Sequence, residues 1–107
     1  MPASVDQFEQ IVLTAILSLR DDAYGVSIHH KAADLLAPKG ISPGVVYITL
    51  DRLEDKGFIA SWLADPTPER GGRPRRYYKL TAAGQRAAMQ QSVAVAGLFG
   101  LVPEVAQ

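Results

Sequence analysis

The chain has 107 residues, of which 48% are apolar and 21% are charged. This composition predicts one folded domain and excludes an intrinsically disordered chain. Eleven basic and eleven acidic residues give a formal net charge of zero, which argues against nonspecific coating of nucleic acid, and the lack of cysteine excludes disulfides and thiolate metal sites.

Membrane segments are not expected in this sequence. The N-terminus lacks the basic and apolar regions of a signal peptide. The longest apolar stretch, residues 93–102, is shorter than the roughly 20 residues that cross a bilayer. We therefore expect a cytoplasmic protein without a membrane partner.

The first predicted helix follows Ser4, which is the predicted N-cap. One apolar row has helical spacing and consists of Phe8, Ile11, Val12, Ala15, Ile16 and Leu19. Leu13 and Leu17 form a second apolar row beside it. Two rows predict burial from two sides, so the helix lies either at the centre of its own core or against a partner subunit.

The second predicted helix covers residues 26–36, after an Asp-Asp-Ala-Tyr-Gly break. Its inward side chains are predicted to be Ile28, Ala32, Leu35 and Leu36. A short turn over residues 36–42 connects it to the third helix, as a helix-turn-helix requires.

The third predicted helix begins at Ser42 and Pro43, an N-cap followed by proline at the first helical position. It runs to Lys56, and Gly57 is the predicted stop. Helical spacing places three of its residues in the core: Val46, Leu50 and Leu53.

The outward face of the third helix differs between its two halves. The C-terminal half carries three acidic residues that DNA phosphates would repel: Asp51, Glu54 and Asp55. The N-terminal half is uncharged and has the positive end of the helix dipole. Its predicted DNA-contacting residues are Ser42, Pro43, Gly44, Val45, Tyr47 and Ile48. Val45 and Ile48 suit thymine methyl groups and Tyr47 suits a phosphate, whereas Ile48 also fits an ordinary half-buried position.

A basic hairpin is predicted after the third helix. Its strands cover residues 58–64 and 75–80, and the turn-rich loop between them contains Gly71 and Gly72 at the tip. Residues 69–81 carry five cations and one anion on a chain of zero net charge. The predicted DNA-contacting side chains of this wing are Arg70, Arg73, Arg75 and Lys79.

Strand alternation divides the second strand of the hairpin into two faces. Tyr78 and Leu80 are predicted to face the core, with Arg76 at its rim. Arg75 and Lys79 are predicted to point outward on the other face. A solvated basic hairpin without a partner is the alternative, and the position after a recognition-type helix favours DNA.

The last predicted helix begins at Ala82, is capped by Thr81 and continues to about Leu101. Apolar side chains surround its C-terminal part, and such a surface needs a partner. The predicted subunit contacts are Leu13 and Leu17 of the first helix with Val95, Leu98, Phe99 and Val102 of the last.

The order helix, helix, helix, hairpin, helix predicts a mainly α fold with a small β-hairpin. We expect a winged helix-turn-helix domain over residues 1–81 and a C-terminal dimerisation helix over residues 82–107 of the same compact domain.

Two segments then resemble the PadR-type transcriptional regulators. Residues 42–59 are similar to the family's recognition helix and following strand, and residues 71–84 look like its wing and the start of its last helix. Tyr24 and Gly25 match the family's start of helix two. The resemblance covers roughly residues 8–90. Ile48 stands where family members commonly have proline, so no operator sequence can be carried over.

The resemblance implies a homodimeric regulator, usually a repressor, that binds a palindromic operator on double-stranded DNA. It also implies that the last helix makes most of the dimer contact. Some members of the smaller branch bind flat hydrophobic compounds through aromatic residues of that helix. Phe99 is the only aromatic residue there, so it is the candidate effector contact, with a plain packing role as the alternative.

Other functional classes have weaker support. His29 and His30 are adjacent and point to different sides of a helix, so no metal site is expected. The sequence has no phosphate-binding glycine loop, nucleophile elbow or cofactor fingerprint, so neither an enzyme nor a cofactor is expected. The remaining alternative is a winged helix that binds protein or serves as a structural dimer without binding DNA.

Overall fold

The computed structural model of the protein describes residues 5–64 and 74–89. The described elements, in chain order, are α1 (Gln7–Leu19), a 3₁₀ turn (Arg20–Asp22), α2 (Gly25–Leu35), α3 (Pro43–Asp55), β1 (Ile59–Ala64) and β2 (Arg75–Leu80). Residues 82–89 form α4. The predicted mainly helical fold with an antiparallel hairpin is confirmed. No helix in these described ranges is long and apolar enough to cross a membrane.

Helix α1 begins two residues later than predicted. Its N-cap is Asp6 and not Ser4, which lies outside the described residues. The Glu9 N–H donates to Asp6 Oδ1 at 2.8 Å, and the Asp6 N–H donates to Glu9 Oε1 at 2.9 Å. This reciprocal pair satisfies two backbone donors at the helix end, which explains why the helix starts here.

Helix α1 lies at the centre of the core. The fully or almost fully buried apolar residues come from the four helices, both strands and the residue after the 3₁₀ turn, and are Val12, Leu13, Ala15, Ile16, Ala23, Ile28, Ala32, Val46, Leu50, Leu53, Ile59, Tyr78 and Ala88. Both apolar rows of α1 contribute to them. Leu13 is fully buried within its own chain, so its assignment to a subunit interface is not supported. Leu17 is only partly buried at the edge of this core.

Helix α2 corrects one predicted core residue. It runs one residue earlier than predicted at both ends, and Leu35, expected to be inward, is 46% exposed. Ile28 and Ala32 lie one turn apart and are buried, whereas Leu35 is the last helical residue, where the chain turns away.

The hairpin is joined closely to the three helices. Gly57 has φ +82°, which explains the sharp stop of α3, and the next residue, Phe58, donates its N–H to Leu53 O at 3.0 Å. The strands pair from Ile59 with Leu80 to Ala64 with Arg75. Strand β1 begins one residue after the predicted Phe58 because that N–H is used by the helix end.

Helix α4 starts against the junction between α3 and β1. The Thr81 N–H donates to Phe58 O at 3.0 Å, and its hydroxyl donates to Gly57 O at 2.7 Å. The Gly84 N–H donates to Thr81 Oγ1 at 3.1 Å, so the predicted cap is confirmed. These bonds fix the direction in which the last helix leaves the domain.

Candidate functional site

The N-terminal half of α3 lies at the surface. Ser42 caps the helix, its Oγ accepting the Val45 N–H at 3.2 Å, and Pro43 follows at the first helical position. Ile48 is 60% exposed and Tyr47 is 45% exposed. Because Val46, Leu50 and Leu53 hold the opposite face in the core, these side chains are presented to the outside.

A histidine holds the turn before α3. His29 Nε2 lies 2.8 Å from the carbonyl oxygen of Ile41, the residue directly before the Ser42 cap. A carbonyl only accepts, so Nε2 carries the proton and donates. Sequence reasoning considered His29 only as a metal ligand. The contact was not predictable because the acceptor is a backbone group twelve residues away.

Tyr47 packs its ring against the start of α2. A methyl group placed on Gly25 would lie 2.5 Å from the Tyr47 hydroxyl oxygen and 2.8 Å from its ring Cε1. The ring therefore occupies the space that a side chain at position 25 would need. The sequence marked Tyr24-Gly25 as a family match but did not indicate this contact.

The outer face of the hairpin carries an aromatic row. Tyr24 forms an isolated β-bridge with Tyr77, and their rings meet edge to face with centroids 5.7 Å apart. Trp62 stacks on Tyr77 with ring centroids 6.0 Å apart. Tyr24 thus adds one short backbone pairing to the two-stranded sheet. Its ring connects the aromatic rings of the hairpin to the start of α2.

Both cations of this outer face, Arg75 and Lys79, lie over rings of the aromatic row. The Arg75 guanidinium carbon lies 3.9 Å from the centroid of the Tyr24 ring, and the Lys79 ammonium lies 5.9 Å from that of Trp62. Arg75 is half-buried. The prediction that Arg75 simply points outward is therefore incomplete, because its guanidinium lies on an aromatic face with its edge N–H groups still able to donate.

The inner face of the hairpin binds part of the acidic half of α3. Arg76 Nη1 donates to Ser61 Oγ at 2.9 Å, and that hydroxyl donates to Glu54 Oε2 at 2.8 Å. Tyr78 is 7% exposed, as predicted for a core-facing residue. Burial raises the pKa of its phenol, Arg76 opposes this, and Glu54 is among the groups that reinforce it. The Tyr78 hydroxyl therefore stays protonated near neutral pH.

An ion pair with a buried carboxylate joins α1 to the end of α3. Lys56 Nζ lies 2.8 Å from Glu9 Oε2, and the Glu9 side chain is fully buried. The Lys56 ammonium also donates to Glu9 Oε1 at 2.8 Å. A more exposed pair, Arg52 with Asp6 at 3.4 Å, lies nearby. Both help to fix the orientation of α3 on α1.

A cleft of about 500 Å³ lies between the end of α1, β2 and the start of α4. It is lined by Ile16, Leu17, Arg20, Asp21, Lys79, Leu80 and Gln85. Arg20, the C-cap of α1, has φ +55°, which is uncommon for a residue with a side chain. Leu17, predicted as a subunit contact, lies at this cleft.

Several predicted site residues lie outside the described ranges. Arg70 and Arg73 belong to the undescribed residues 65–73, as do the two glycines of the predicted tip. The predicted dimer contacts of the last helix, Val95, Leu98, Phe99 and Val102, lie in residues 90–107. The described part brings together the N-terminal half of α3, the start of α2 and the base of the wing, which is the part of the hairpin that carries Arg75 and Lys79.

Comparison with models of protein families identifies the family of this chain. The sequence model of the transcriptional regulator PadR-like family matches residues 12–90. The chain is similar to the solved structure of a PadR family transcriptional regulator from Eggerthella lenta, with 28% identity, a TM-score of 0.63, and coverage of 92% of this chain and 82% of that one. No match was found among curated proteins.

Two further solved structures share the fold at lower identity. A PadR family transcription regulator from Clostridium difficile R20291 has 22% identity and a TM-score of 0.67, with 94% of this chain and 99% of that one covered. The zinc-responsive MarR family member ZitR from Lactococcus lactis has 14% identity and a TM-score of 0.71, with 98% and 63% covered.

Proposed function

The chain belongs to the PadR-like family of transcriptional regulators, and on this premise we propose that it is a repressor that binds a palindromic operator as a homodimer. The observation that carries the proposal is the exposed, uncharged N-terminal half of α3 beside the cationic base of the wing. PadR family regulators are generally not enzymes.

The N-terminal end of α3 supplies the sequence-reading contacts in this proposal. The N-terminus of α3 suits this role because the positive end of its helix dipole favours the phosphates that border the major groove. Val45, 37% exposed, and Ile48, 60% exposed, are apolar groups suited to thymine methyls. Ser42, Pro43 and Gly44 keep this end small, so that the backbone can come close to the groove.

The acidic half of α3 does not approach DNA in this proposal. Glu54 is already bound through Ser61 to Arg76 at the base of the wing, which offsets part of its charge within the protein. The phosphate contacts come from the wing, with Arg75 and Lys79 at its base and Arg70 and Arg73 nearer its tip.

Dimerisation is proposed through the helix over residues 82–107. Its start is tied to Gly57 and Phe58, so the helix leaves each domain in a defined direction. Met89, near the end of the described part, is 58% exposed. Leu17 remains a proposed contact, together with Val95, Leu98, Phe99 and Val102, and Phe99 remains the proposed contact for a hydrophobic effector. Two-fold symmetry would present two recognition helices to two half-sites.

A reciprocal exchange on one face of α3 tests this proposal. Ile48 and Asp55 lie seven residues apart, two turns of the helix, and both are exposed. DNA recovered by the wild-type chain from a random-sequence duplex library serves as the probe. Ile48→Asp should weaken binding by about 100-fold, because it loses an apolar contact and adds repulsion next to phosphate. Asp55→Ile should change binding by no more than about 3-fold.

The double exchange Ile48→Asp with Asp55→Ile is the matched control, since it restores the wild-type composition and charge. It should bind as weakly as Ile48→Asp alone. Equal binding by the double exchange and wild type would show that only net charge matters. Recovery of no duplex by the wild-type chain would overturn DNA binding, and recovered sequences without an inverted repeat would overturn the two-fold part of the proposal.

A further inference from the structure

We propose that Tyr24 and Gly25 form a positioning element that sets two DNA-contacting side chains in place, Tyr47 of the recognition helix and Arg75 of the wing. This inference rests on the proposed function. Neither Tyr24 nor Gly25 is itself assigned a contact with DNA. They act through the side chains that they hold.

Space, and not backbone conformation, explains the glycine at position 25. The glycines with positive φ in the described part are Gly40 and Gly57, so Gly25 adopts a backbone that alanine also adopts. Gly25 is the first residue of α2, where alanine is the better helix former. A side chain at this position would displace the Tyr47 ring, whose hydroxyl oxygen would lie 2.5 Å from an added methyl group. Gly25 therefore leaves free the space that the Tyr47 ring occupies.

Tyr24 holds Arg75 in a comparable way. Its N–H donates to Ser27 Oγ at 3.0 Å, and its backbone pairs with Tyr77 across the sheet. Its ring lies edge to face against Tyr77, so the face toward Arg75 is fixed on a rigid support. The guanidinium sits 3.9 Å from the ring centroid. A guanidinium stacked in this way loses rotamer freedom before binding and keeps its edge N–H groups for a phosphate.

The two residues that hold these side chains, Tyr24 and Gly25, are consecutive in the sequence. Tyr47 reaches the site from α3 and Arg75 from the wing, elements that otherwise approach DNA separately. Tyr24 and Gly25 set their spacing through one bridged and capped segment at the start of α2. Contacts that are ordered in the free protein bind DNA with a smaller entropy loss than contacts ordered on binding. Tyr24 and Gly25 thereby fix the position of the recognition helix relative to the wing.

Two double-mutant cycles test this inference, with the duplex selected by the wild-type chain as the probe. Gly25→Ala should weaken binding by about 10-fold in the wild-type background and by less than about 2-fold in a Tyr47→Ala background. Tyr24→Leu should weaken binding by about 4-fold, and by less than about 2-fold when Arg75→Ala is already present. Tyr24→Phe, which keeps the aromatic face, should bind within about 2-fold of wild type.

The cycles separate positioning from folding and from the proposed function. Thermal unfolding of every variant shows whether the domain is intact, and binding is compared only among folded variants at one temperature. Additive losses in both cycles among folded variants would overturn the inference. Gly25→Ala and Tyr24→Leu variants that bind as well as wild type would also overturn it. Absence of binding by the wild-type chain would instead overturn the proposed function.

Discussion

Alanine in place of Gly84 should destabilise the folded chain by about 3 kcal/mol or more. Gly84 is buried in the first turn of α4, and an added methyl group would run into the Phe58 carbonyl. That obstacle is backbone of the residue before β1, so no side-chain rotation relieves it. Helix α4 would have to move away from the junction to which Thr81 ties it. Chemical denaturation followed by circular dichroism measures the loss.

Gly44→Ala is the matched control for this prediction. Gly44 also lies in the first turn of a helix, but nothing lies within 4 Å of its added methyl group. Alanine there should leave stability unchanged or raise it by up to about 1 kcal/mol. Equal effects of the two substitutions would show that α4 does not pack on Phe58 as described.

Lys56→Met should destabilise the chain by about 2–4 kcal/mol. The substitution removes the ammonium group that lies 2.8 Å from a fully buried Glu9 carboxylate. A buried carboxylate that loses its cation keeps the cost of desolvation without the compensating attraction. Thermal or denaturant unfolding at neutral pH measures the loss.

Two further variants serve as controls for the Lys56→Met prediction. Arg52→Met removes the cation of the Asp6 pair, whose side chains are each about half exposed, and should cost no more than about 1 kcal/mol. Adding Glu9→Leu to Lys56→Met should recover part of the stability, because no buried charge is left unpaired although the Asp6 N–H loses its acceptor. Similar losses for Lys56→Met and Arg52→Met, or no recovery in the double variant, would contradict the described pair.

Local signals in the sequence predicted the elements that depend on neighbouring residues. Ser42 and Pro43 mark the start of α3 because a cap and a first-turn proline act within one helical turn. The strand Arg75–Leu80 was predicted with the observed bounds. The start of α1 was missed because Asp6 competes with Ser4 as an N-cap, and the carboxylate also joins a reciprocal pair with Glu9.

Contacts between segments that are far apart in the chain could not be predicted from a single sequence. Leu13 reads equally well as a core or an interface residue, and only the packing of the other elements around α1 places it in the core. The Tyr47 ring on Gly25 and the Arg75 guanidinium on Tyr24 join segments that are far apart in sequence. Strand alternation placed Arg75 on the outer face but could not show that Tyr24 lies beneath it.

The salt dependence of DNA affinity tests most directly the claim that α3 and the base of the wing hold DNA. Binding of the duplex selected by the wild-type chain is measured at a series of salt concentrations, for wild type and for Arg75→Ala with Lys79→Ala. The logarithm of affinity should fall linearly with the logarithm of salt for the wild type, and the slope should be shallower by about 2 in the double variant. Binding that does not respond to salt, or equal slopes for the two proteins, would contradict the claim.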